Sequence, residues 1–83
     1  MSKRARYIGL VVFHNDLNNE RFLTEVFRQS LGYHYTQAAN CAHMIFNSGE
    51  YLVKTFKASE QEKARAILNV FHEHDVPAKL IPL

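Results

Sequence analysis

Apolar and polar positions fall into blocks along the chain, each with the period of one element. Tyr7-Ile8-Gly9-Leu10-Val11-Val12-Phe13 is a continuous apolar, β-rich run of strand length, which predicts a central strand. His14-Asn15-Asp16-Leu17-Asn18-Asn19 interrupts it with residues that favour turns and helix caps. Phe22, Leu23, Val26, Phe27 and Leu31 then recur at helical spacing as one apolar stripe, with Arg21, Glu25, Arg28 and Gln29 off it. Gly32 suits the left-handed residue that ends such a helix.

A second helix is predicted from Thr36, as N-cap, to Asn47, with Ala38, Ala42 and Ile45 on its core face and Gly49 as its stop. Its small alanines let a neighbouring helix approach closely. Tyr51–Phe56 has the β-branched and aromatic content of a second strand. Ser59-Glu60-Gln61-Glu62 reads as a capping box, opening a third helix with Ala64, Ile67, Leu68 and Phe71 on one face. Pro77 stops that helix, and Ala78–Ile81 form a last strand.

The order is β-α-α-β-α-β. A three-stranded sheet with one apolar face needs cover, and three one-sided helices supply it, so the expected fold is a compact α+β sandwich. The 83 residues suffice for one core, so the expected organisation is a short basic tail, 1–6, and a single domain, 7–83.

Composition narrows the function classes. With 47% apolar and 22% charged residues, the chain has the mix of an ordinary soluble globular protein. The net charge of +2 is too small to argue for nucleic acid, and the cluster Lys3, Arg4 and Arg6 reads first as a solvated tail. Cys41 is the single cysteine, so no intrachain disulfide and no multi-cysteine zinc site can form. His72 and His74 lie two apart on a helix, which points them to different sides, whereas helical ligand pairs prefer a spacing of four. No metal or cofactor is expected. No apolar segment has the length of a membrane span and no signal peptide is visible, which points to the cytoplasm.

Catalysis is disfavoured too. Nucleophile motifs and a glycine-rich phosphate loop are absent, and the carboxylates fall mostly on exposed helix faces. KH-type RNA binding needs a GxxG loop where this chain has Leu31-Gly32-Tyr33-His34-Tyr35. The strand-end loop is more informative. Asn15 and Asp16 either cap the helix and satisfy loop amides, or accept hydrogen bonds from a cationic amine such as a peptide's N-terminus.

On these residues the sequence resembles the ClpS family of Clp protease adaptors. The matching pieces are Leu10-Val11-Val12-Phe13-His14-Asn15-Asp16, Phe22-Leu23-Thr24-Glu25-Val26, Ala38 with Gly49, Lys63, and the exit Asp75-Val76-Pro77. The resemblance spans almost the whole chain after Arg6, and its sharp element is the strand-end His-Asn-Asp.

The resemblance implies the fold shared with the C-terminal domain of the ribosomal stalk protein. It also implies a binding function: recognition of a substrate's first residue and docking on an AAA+ Clp unfoldase of the ClpA or ClpC type. In the family an Asn and an Asp at the strand end and a His on the second helix grip the amine. Carried over, these are Asn15 and Asp16, with His43 as the available histidine. Counting back from Gly49 puts Phe46 at the family's His position. Leu17 stands where the family has a second Asp, and the gatekeeping Met has no counterpart. Pocket candidates are Leu17, Phe22, Val26, Ala42, Ile45 and Phe46, with Cys41 beside them. The alternative is a ClpS-fold interaction module without amine recognition.

Overall fold

The computed structural model describes residues 6–83, so the tail expected over 1–6 lies, save for Arg6, outside the described residues. The elements are β1 (Tyr7–Phe13), α1 (Glu20–Leu31), α2 (Tyr35–Ser48), β2 (Glu50–Lys57), a 3-10 turn (Ala58–Glu60), α3 (Gln61–Glu73) and β3 (Ala78–Pro82). The sheet runs β2-β1-β3, and both pairings are antiparallel. The most apolar strand is therefore the central one, hydrogen-bonded on both sides. This is the α+β sandwich that the pattern predicts.

The even positions of β1 face the helices. Leu10 and Val12 are buried there against Leu23, Val26 and Phe27 of α1, Ala38, Cys41, Ala42 and Ile45 of α2, and Ala64 and Phe71 of α3. Ala38 and Ala42, both fully buried, leave the room that brings the α1 and α2 backbones together. The Phe27 and Phe71 rings meet at 5.7 Å between centroids and lock α1 to α3.

Three local expectations are corrected. Helix α2 starts at Tyr35 rather than after Thr36, because His34 is extended and its carbonyl accepts from the Ala38 amide at 2.9 Å. The capping carboxylate before α3 belongs to Glu60, not Glu62: the chain tightens into a 3-10 turn directly after β2, and Glu60 Oε1 accepts from the Lys57 amide at 2.9 Å. Phe22 leaves the apolar stripe of α1 and stands 37% exposed, edge-on to His74, while Thr24 takes a buried place. The Thr24 hydroxyl is satisfied by donating to the Glu20 carbonyl, which makes that burial cheap.

Candidate functional site

The end of β1 is held from both sides. The Phe13 amide donates to the Pro77 carbonyl at 2.9 Å and the His14 amide to the Gly49 carbonyl at 2.8 Å. The loop that follows is a turn closed on itself: Asn15 Oδ1 accepts from the Leu17 amide at 2.5 Å, and the Asn15 carbonyl accepts from the Asn18 amide at 3.1 Å. Asn19 then caps α1, its Oδ1 accepting from the Phe22 amide at 2.8 Å. Asn18 is the buried member of this loop. Its side-chain amide donates to the Asp75 carbonyl at 3.0 Å and ties the strand end to the turn between α3 and β3. Asp75 adopts a left-handed conformation in that turn, with φ at 59°.

The amide oxygen of Asn15 is thus engaged by its own loop. The Asp16 side chain is exposed and makes no hydrogen bond or ion pair among the described residues.

His43 stands on the exposed face of α2. Its Nδ1 lies 3.3 Å from Glu20 Oε1 and its Nε2 2.9 Å from the Asn47 side-chain nitrogen. The ring thus bridges the Glu20 carboxylate at the start of α1 and the Asn47 amide one turn on in α2. One turn on, Phe46 is about one-third exposed and packs edge-on against the His14 ring, with centroids 4.6 Å apart and an interplanar angle of 76°.

The pocket candidates separate into two groups. Val26, Ala42 and Ile45 are buried in the common core, where other side chains already fill the space around them. Leu17, Phe22 and Phe46 lie at the surface, Leu17 at 83% exposure.

Two hollows border this region. A hollow of about 510 Å³ between α1 and α2 is lined by Glu20, Arg21, Thr24, Glu25, Tyr35 and Ala39. Another, of about 300 Å³, is lined by Asn15, Leu17, His72, Asp75, Val76 and Pro77. Asn15 therefore shares a hollow with His72, whereas His43 meets Glu20 at the other. Sequence reasoning placed His72 only at a helix end. The antiparallel return of β3 beside β1 is what carries it to the strand-end loop, where its Nε2 lies 3.1 Å from the Ala78 carbonyl.

Two interior groups are perturbed. Burial raises the Tyr33 phenol above its ordinary value, with Cys41 and Tyr51 adding to the effect, and the hydroxyl donates to the Val53 carbonyl at 2.6 Å. Burial likewise raises the Cys41 thiol. A thiol held protonated is a poor nucleophile, so Cys41 is a packing residue of α2.

No family model matches the sequence, and no curated protein is significantly similar to it. Solved structures do match. ClpS2 of Agrobacterium tumefaciens, solved bound to L-phenylalaninamide, superposes with a TM-score of 0.77, covering 96% of this chain and 100% of that one at 13% identity. The fold is that of ClpS. The chain has the ClpS-like architecture over nearly its whole length. At 13% identity the likeness is one of architecture, and the side chains at the strand end have to be judged on their own geometry. Among the described residues, no helix is long and apolar enough to cross a membrane.

Proposed function

We propose that this chain is a non-catalytic adaptor module that docks on a Clp-type AAA+ unfoldase in the cytoplasm and contacts protein partners there, with the amine grip of the ClpS pattern replaced by an aromatic contact. The full-length architectural match supports the adaptor part. The observation that carries the rest is the packing of Phe46 on His14. Phe46 occupies the position where the resemblance calls for an amine-gripping histidine, and a phenyl ring offers no lone pair to an ammonium hydrogen. The Asn15 oxygen already accepts from the Leu17 amide, and Val26, Ala42 and Ile45 are taken up in the buried core. A buried ammonium without full hydrogen bonding pays a heavy desolvation penalty.

A second reading keeps recognition of a substrate's N-terminal residue at Asn15, Asp16 and His43. It is favoured by Asp16, whose carboxylate is exposed and has no partner among the described residues. Calorimetric titration separates the two, using short peptides that begin with Phe, Leu, Arg or Asp, each beside its N-acetylated form. The first reading predicts no binding that depends on a free amine. Binding that disappears on acetylation and on Asp16→Ala would overturn it in favour of the second.

A further inference from the structure

We draw no further inference here: the strongest candidate, the hollow of about 300 Å³ where Asn15 and Leu17 of the strand-end loop meet His72 and Asp75 at the end of α3, belongs to the site already described, and nothing in the structure shows what covers it.

Discussion

The His14 ring stands edge-on to the Phe46 ring, 4.6 Å away, and so joins the end of the central strand to the last turns of the second helix. The backbone bond from the His14 amide to the Gly49 carbonyl reinforces the same junction. The strand end is therefore fixed by an aromatic contact and a main-chain bond, and the Asn15 oxygen beside it accepts from its own loop.

This contact is worth a measurable part of the stability. Phe46→Ala should cost about 1–2 kcal/mol, because the ring is only partly buried but makes a specific edge contact. Leu17→Ala, at a residue 83% exposed, should change stability by less than about 0.5 kcal/mol. Urea unfolding followed by circular dichroism measures both.

Asn18 should be the most sensitive polar residue of the loop. Its side chain is buried and donates to the Asp75 carbonyl. Asn18→Ala leaves that carbonyl without its partner and should cost about 1–3 kcal/mol. The loss should appear in urea unfolding and in faster amide exchange at Asp75 and Val76. A change as small as that of Leu17→Ala would show that the tie between the two turns carries no load.

Stability should fall in alkali because of Tyr33 and Cys41. Both acids have folded-state values raised by burial, so the folded chain retains protons that the unfolded chain has already released. Their contribution is complete below the ordinary values of 9.0 for the thiol and 10.0 for the phenol, and it is lost as pH rises beyond them toward the folded values. Tyr33→Phe should flatten the part of the decline above pH 10, read from urea midpoints against pH. An identical slope in the variant would assign the alkaline loss to other groups.

Strand β1, the core faces of α2 and α3, and the layer order were legible in the sequence because each rests on a period that burial enforces. Phe22 escaped because a stripe drawn from spacing alone cannot say where a helix face meets solvent, and α1 turns that position toward His74. The start of α2 escaped because His34 caps through its backbone and not through a side chain. At the strand end the residue types were legible, but their use was not. An Asn after a strand can accept from its own loop or from a ligand, and only the closure of the turn on the Leu17 amide distinguishes the two. The meeting of Asn15 with His72 was out of reach, since it depends on β3 returning beside β1 over a long sequence separation.

The adaptor reading is tested most directly by docking. The chain, labelled with a fluorophore on a lysine, is titrated with the isolated N-terminal domain of a ClpA- or ClpC-type unfoldase, and anisotropy is recorded. The account predicts saturable one-to-one binding in the micromolar range, about −8 kcal/mol, that unlabelled chain reverses. Anisotropy that stays flat up to about 1 mM domain, a limit of about −4 kcal/mol, would contradict it and leave the ClpS-like fold as shared architecture alone.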